Sequence, residues 1–98
     1  MKKDLYWATV RVNGVELKAL LDSGASENFW GIKAVRKAKI ETVNRDNLKV
    51  KLADGSYFYT NEEVPPTYLE GDSSSFEVAG PVIPLSDWDL VLGKPWLE

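Results

Sequence analysis

No cysteine and no histidine occur among the 98 residues. The missing cysteines exclude a disulfide framework, a thiol nucleophile and a zinc–thiolate site. The missing histidines exclude Ser-His and Cys-His nucleophile pairs and remove the commonest transition-metal ligand. No apolar run is long enough to cross a bilayer, and no basic-then-apolar leader is present; Met1-Lys2-Lys3 reads as the start of a chain or domain. With no such run a membrane is not an expected partner, and the net charge of −3 argues against a nucleic acid bound by phosphate neutralisation. Any chemistry the chain performs by itself must draw its acid and base from carboxylates, Lys or Tyr.

Hydrophobic residues make up 44% of the chain, too many for disorder, and the length suits one domain, 1–98, with one core. Tyr6, Ala8, Val10 and Val12 alternate with Trp7, Thr9 and Arg11, the period of a strand. Asn13-Gly14 follows, the strongest short hairpin signal, because both turn residues must take positive φ. A two-residue loop sets the register against residues 15–21: Val12 opposite Val15, Arg11 opposite Glu16, Val10 opposite Leu17, Ala8 opposite Ala19.

Residues 31–40 read as a short helix with Ile32, Val35 and Ala38 inward. Lys33, Arg36, Lys37 and Lys39 then form a solvated basic face rather than a nucleic-acid patch. Residues 47–61 read as strand, Asp54-Gly55 turn, strand, with Tyr57 and Tyr59 on one face and Phe58 on the other. This is either a plain surface hairpin or a lid. A strand over 64–70 starts irregularly at Pro65-Pro66, and a strand through Phe76, Val78 and Val82 carries a bulge or an edge position at Gly80-Pro81. Leu90-Val91-Leu92 is a buried run stopping at Gly93, and Pro95 suits the first turn of a closing helix. Many short strands with Gly and Pro turns predict an all-β, barrel-like domain. The run ending at Gly93 echoes Leu20-Leu21-Asp22: in each half a hairpin leads to a buried run, a glycine turn and a helix, an approximate internal two-fold.

Ala19-Leu20-Leu21 runs straight into Asp22, although an unpaired buried charge costs several kcal/mol, roughly. Either Asp22 sits in an ordinary surface turn of a small barrel, or the carboxylate is held there for use. Three stretches, Leu20-Leu21-Asp22-Ser23-Gly24-Ala25-Ser26, Leu52-Ala53-Asp54-Gly55-Ser56 and Trp88-Asp89-Leu90-Val91-Leu92-Gly93-Lys94-Pro95-Trp96-Leu97, in this order and spacing, resemble a retropepsin-like aspartic protease. The resemblance covers residues 6–97 and is strongest to the protease domain of gypsy-type LTR retrotransposons and their domesticated relatives.

That resemblance implies a retropepsin-like acid-protease barrel of short strands with one or two short helices. It implies an aspartic endopeptidase acting as a homodimer on a peptide or polyprotein substrate, with no metal or organic cofactor. Asp22 would be catalytic, one from each subunit. Ser23 would bond across to the partner's loop, and Gly24 and Ala25 would let the backbone turn and the substrate approach. Ala53, Asp54, Gly55 and Ser56 would form a mobile flap tip, with the aromatic run 57–59 covering peptide side chains. Gly93 would pack beneath the site. Retroviral relatives continue past the closing helix into a strand that interleaves with the partner's N-terminus. Here Glu98 follows directly on Leu97, which leaves a dimer built through residues 1–6 or a weak dimer. A cytoplasmic location, or one within a retrotransposon particle, is expected. A non-catalytic binding or dimerisation module on the same fold is the alternative.

Overall fold

The computed structural model describes residues 6–52 and 54–97. In chain order the elements are β1 (Tyr6–Val12), β2 (Val15–Leu21), β3 (Phe29–Gly31), α1 (Ile32–Lys37), β4 (Val43–Lys51), β5 (Tyr57–Glu70), β6 (Ser75–Ile83), β7 (Leu90–Leu92) and α2 (Lys94–Leu97). The sheet order is β1-β2-β7-β3-β6-β5-β4, and a further pairing of Arg11 with Glu70 joins β1 to β5. That contact closes a ring around the core and leaves β4 as a flange on β5. The chain is therefore the expected all-β barrel with two short helices.

The β1–β2 hairpin adopts the register its turn dictates, from Val12 opposite Val15 to Tyr6 opposite Leu21. Asn13 and Gly14 both take positive φ, 53° and 79°, the geometry whose twist matches that of the flanking strands. Only Val10 and Val12 of the inward row are buried; Tyr6 and Ala8 lie beyond the closed ring and stay exposed. In α1, Ala34 and Val35 are buried, Ala38 caps the helix and is buried, and Ile32 is half-buried. Lys33, Arg36, Lys37 and Lys39 are exposed.

The sequence's separate strands at 57–61 and 64–70 are one continuous strand, β5, shared between two partners: β4 along its first part and β6 along its second. Pro65 and Pro66 do not interrupt it because they sit where the register slips. Between the pairs Val64–Gly80 and Thr67–Val78, two residues of β5 oppose one of β6. A bulge leaves an unpaired position, so a missing N–H costs no ladder bond there. The irregularity expected at Gly80-Pro81 thus falls on the opposite strand. β6 is also not an edge, since it pairs with both β5 and β3. Gly80 is glycine for a different reason: a Cβ there would meet the Asn28 carbonyl, with the Asn28 carbonyl carbon only 2.8 Å away.

The internal two-fold is present but shifted. Hairpin β1–β2, strand β3 and helix α1 match hairpin β5–β6, strand β7 and helix α2. Leu90–Leu92 therefore corresponds to Phe29–Gly31, and not to the run that ends at Asp22. The two halves interlock: β7 pairs in parallel with β2, β3 in parallel with β6, and β3 and β7 pair antiparallel between them.

The core is made by Val12, Leu17, Ala19, Trp30, Val64, Leu69, Val78, Leu90 and Leu92, with Phe76 and Trp96 packed against it at 5.1 Å between ring centroids. Trp30 is fully buried, and its indole N–H has no hydrogen-bond partner among the described residues. That orphan donor costs about 1–3 kcal/mol. Burying a Trp ring, about 200 Å² at about 25 cal/mol/Å², returns about 5 kcal/mol, so the ring stays inside. Gly80→Ala should destabilise the fold by about 3 kcal/mol, since its methyl meets backbone rather than a movable side chain; a urea titration showing a lower midpoint at unchanged slope checks this.

Candidate active site

Parallel pairing places Ala19, Leu20 and Leu21 beside Leu90, Val91 and Leu92, so β2 and β7 end at one rim. The next residues are Asp22 on one strand and Gly93 on the other. Ala19 is fully buried and Leu20 and Leu21 are half-buried, which accounts for the apolar approach to the aspartate. Asp22 itself is half-buried at the rim. Its N–H donates to the Leu92 carbonyl (2.9 Å), and its Oδ1 accepts the Gly24 N–H (2.9 Å). The carboxylate at the end of the buried run is therefore wet on one side and held by a backbone donor on the other, which avoids an unpaired buried charge.

The turn closes with the Ala25 N–H donating to the Asp22 carbonyl (3.1 Å), and the Ala25 carbonyl accepts the Lys94 N–H (2.9 Å). Gly24 is small for the carboxylate's sake: a Cβ would lie 3.2 Å from Asp22 Oδ1. Gly93 is buried, and a Cβ there would lie 2.6 Å from the Ala25 carbonyl oxygen. Ser23 is exposed beside the aspartate.

Asp22, Gly24 and Ala25 open into a cleft of about 1140 Å³ that also reaches Asp54. Its apolar floor and walls include Leu20, Phe29, Val50, Ile83 and Trp88. Of the residues expected at the flap tip, Asp54 lines this cleft, Gly55 and Ser56 complete the turn outside it, and Ala53 lies outside the described residues. The expected aromatic cover is corrected. The arm facing the cleft is residues 48–52 of β4 and its end, whereas Tyr57 and Tyr59 point to solvent. None of Tyr57, Phe58 and Tyr59 lines the cleft, although Lys49 and Lys51, opposite Tyr59 and Tyr57 on the neighbouring strand, do. Lys49 Nζ sits 4.3 Å from the Tyr57 ring centroid, a cation–π contact that ties the two strands of the hairpin together.

Two residues to which the sequence reading gave no role organise the site. Asn28 is buried, and its side chain bonds to Gly93 and Ala79. Asp89 fixes the loop between β6 and β7. Its Oδ2 accepts the Lys18 N–H (2.9 Å), its N–H donates to the Lys18 carbonyl (3.0 Å), and its carbonyl accepts the Gly31 N–H (2.9 Å). Trp88 is thereby held against Trp7, with ring centroids 6.2 Å apart. Asn28 lies in no motif, and an Asn before an aromatic pair carries no local signal; Asp89 lies in the stretch Trp88–Leu97, which marked the resemblance without pointing to the bonds that this carboxylate makes.

This barrel, with its Asp-Ser-Gly turn at the shared rim of two parallel strands, defines a retropepsin-like domain. The family model for the PEG10/RTL1 protease domain, retropepsin-like and gypsy-derived, matches residues 18–98, and the chain belongs to that family. Among solved structures it is similar to the retroviral protease-like domain of Ddi1 from Leishmania major, at 17% identity and a TM-score of 0.72, over 97% of this chain and 74% of that one. That likeness is one of fold. No curated protein sequence matches the chain.

In the hairpin turn, the Asp54 carboxylate accepts both the Ser56 hydroxyl (2.6 Å) and the Ser56 N–H (2.9 Å). The hydroxyl bond first, and the N–H bond second, hold Asp54 below the ordinary aspartate pKa. A depressed folded-state value means that the turn gains from the ionised carboxylate above the ordinary pKa and loses that gain as pH falls through the folded-state value. Acidification should therefore loosen the turn, seen as faster exchange and a shifted resonance of the Ser56 amide, and Asp54→Ala should flatten that dependence.

Proposed function

We propose that the chain is an aspartic endopeptidase that works as a homodimer, each copy contributing one Asp22. The observation that carries this reading is the placement of the Asp22 carboxylate. It stands in the Asp-Ser-Gly turn, fixed by the Gly24 N–H at 2.9 Å, facing a cleft that also reaches the β4–β5 hairpin. One carboxylate cannot serve as base and acid in the same step. Two carboxylates about 3 Å apart cannot both ionise, so a pair shares one proton. The ionised member removes a proton from a water, whose oxygen attacks the scissile carbonyl carbon. The protonated member gives its proton to the carbonyl oxygen. The tetrahedral diol then collapses, the C–N bond breaks, and a proton passes to the leaving amine.

An exposed Ser23 beside Asp22 supports a contact with the matching loop of a second copy. The cleft is bordered by residues 48–52 on one side and by residues 83–88 on the other, walls suited to an extended peptide, the form in which a chain presents its backbone to a strand. The β4–β5 hairpin serves as a lid. Its turn is held by short-range bonds, among them the Leu52 N–H to the Ser56 carbonyl (2.8 Å) and the Gly55 N–H to the Leu52 carbonyl (3.0 Å).

The deciding experiment incubates the full chain with a fluorogenic decapeptide mixture of randomised sequence. Cleavage should rise more steeply than linearly with enzyme concentration and show a bell-shaped, mildly acidic pH profile. Asp22→Asn should abolish it while leaving the circular-dichroism spectrum and melting unchanged. Full activity in Asp22→Asn, or a rate that climbs into alkaline pH, sinks the reading.

Gly55 has φ of +91° with open space around it, so Gly55→Val strains the backbone without a clash. The cost to stability should be about 1–2 kcal/mol, while turnover should fall by more than tenfold, roughly, because lid closure adds its own demand on that turn. Equal losses in folding and turnover would make the hairpin scaffold only.

A further inference from the structure

We propose that Asn28 is a positioning residue for Asp22, acting through a clamp between the Asp-Ser-Gly loop and the segment Leu92-Gly93-Lys94. The proposal rests on the protease reading above. Asn28 is 6% exposed, and a buried amide must find partners. Its Oδ1 accepts the Gly93 N–H (2.9 Å) and its Nδ2 donates to the Ala79 carbonyl (3.4 Å). The two partners fix the amide's orientation, because an N–H must face the oxygen and a carbonyl the nitrogen.

The Gly93 bond is the middle of three. The Leu92 carbonyl holds the Asp22 N–H, Gly93 holds the Asn28 side chain, and the Lys94 N–H holds the Ala25 carbonyl. The outer two are backbone to backbone and exist in any sequence that folds this way. The middle one depends on a single side chain. The loop is also bedded on two distant glycines, Gly80 within β6 and Gly93 just past β7. A Cβ on Gly93 would press on Ala25 and Glu27, and one on Gly80 would press on Asn28 itself. The loop therefore has one seat, and the amide of Asn28 is the only side-chain bond between loop and seat among the described residues.

Asn28 does not line the cleft, whereas Asp22, Gly24, Ala25 and Glu27 do. Its effect must pass through the loop backbone. The Gly24 N–H, which touches the Asp22 carboxylate, is the atom that reports it.

Asn28→Leu keeps the volume and removes both bonds. Asn28→Ser keeps a hydroxyl on a shorter arm. Asn28→Gln keeps a neutral amide, with an acceptor for the Gly93 N–H and a donor for the Ala79 carbonyl, on a longer arm. Each is made in the full chain and assayed on the decapeptide that the unsubstituted chain cleaves fastest. In Asn28→Leu, kcat should fall by about 100-fold, the scale of an ångström's misplacement, with KM unchanged and the chain folded. Asn28→Gln should recover part of kcat. The Gly24 amide resonance should move in Asn28→Leu and move back toward its original position in Asn28→Gln. An unchanged kcat and Gly24 resonance in Asn28→Leu overturns the proposal, as does a folded Asn28→Gln variant no better than Asn28→Leu. If Asn28→Leu does not fold, Asn28→Ser takes its place. If neither folds, Asn28 belongs to the fold alone and the positioning role falls. If the unsubstituted chain cleaves no peptide, the protease reading fails separately, and the Gly24 resonance by itself decides whether the clamp holds the carboxylate.

Discussion

The β2–β7 ladder is parallel, and its last rung is the bond from the Asp22 N–H to the Leu92 carbonyl at 2.9 Å. Parallel strands cannot be joined by a tight turn, so the chain must travel through most of the barrel before β7 can return beside β2. Everything between them, the second hairpin pair and the strap of β3, is wound around that constraint. Because both strands run the same way, both stop at the same rim. The chain then has two loop starts side by side, Asp22 on one and Gly93 on the other. The carboxylate stands beside a glycine because a side chain at 93 would occupy the space of the Ala25 and Glu27 carbonyls.

The cleft has two kinds of wall. The loop between β6 and β7 is bolted down by Asp89, which uses its carboxylate, N–H and carbonyl on two other strands, and Trp88 rests on Trp7 as a result. The opposite side is the end of a two-stranded hairpin whose turn is held by bonds within residues 52–56. A segment stabilised by long-range contacts opens only with the whole fold, whereas one stabilised locally can open on its own. That asymmetry, a fixed wall facing a locally held one, is the physical basis of the lid proposed for the β4–β5 hairpin.

The glycines of the site divide by physical role. Gly14 and Gly55 serve backbone conformation, with φ of 79° and 91°. Gly24, Gly80 and Gly93 serve close approach: Gly24 leaves room for the Asp22 carboxylate within its own turn, and Gly80 and Gly93 leave room for the carbonyl oxygens of another segment. The first kind sits in Asn-Gly and Asp-Gly pairs, and is readable from the pairs alone. For Gly80 and Gly93 the second need is set by residues far along the chain.

The same division runs through the whole molecule. Local rules were enough for the β1–β2 register, because a two-residue turn with positive φ permits one alignment, and for α1, whose apolar spacing marks its inward face. They were enough to single out Asp22, since a buried run ending in a carboxylate is costly unless something holds it. The sequence also carried the family resemblance through short motifs whose order and spacing survive without reference to structure. Tertiary structure alone decided that 57–61 and 64–70 are one strand, because the prolines are tolerated only opposite a bulge in the β5–β6 register. It alone left Tyr57 and Tyr59 out of the cleft lining, matched β7 with β3, and placed Asn28 and Asp89 in their bonds. Those outcomes depend on partners distant in sequence, and a residue's own neighbours do not specify which remote backbone group it will meet.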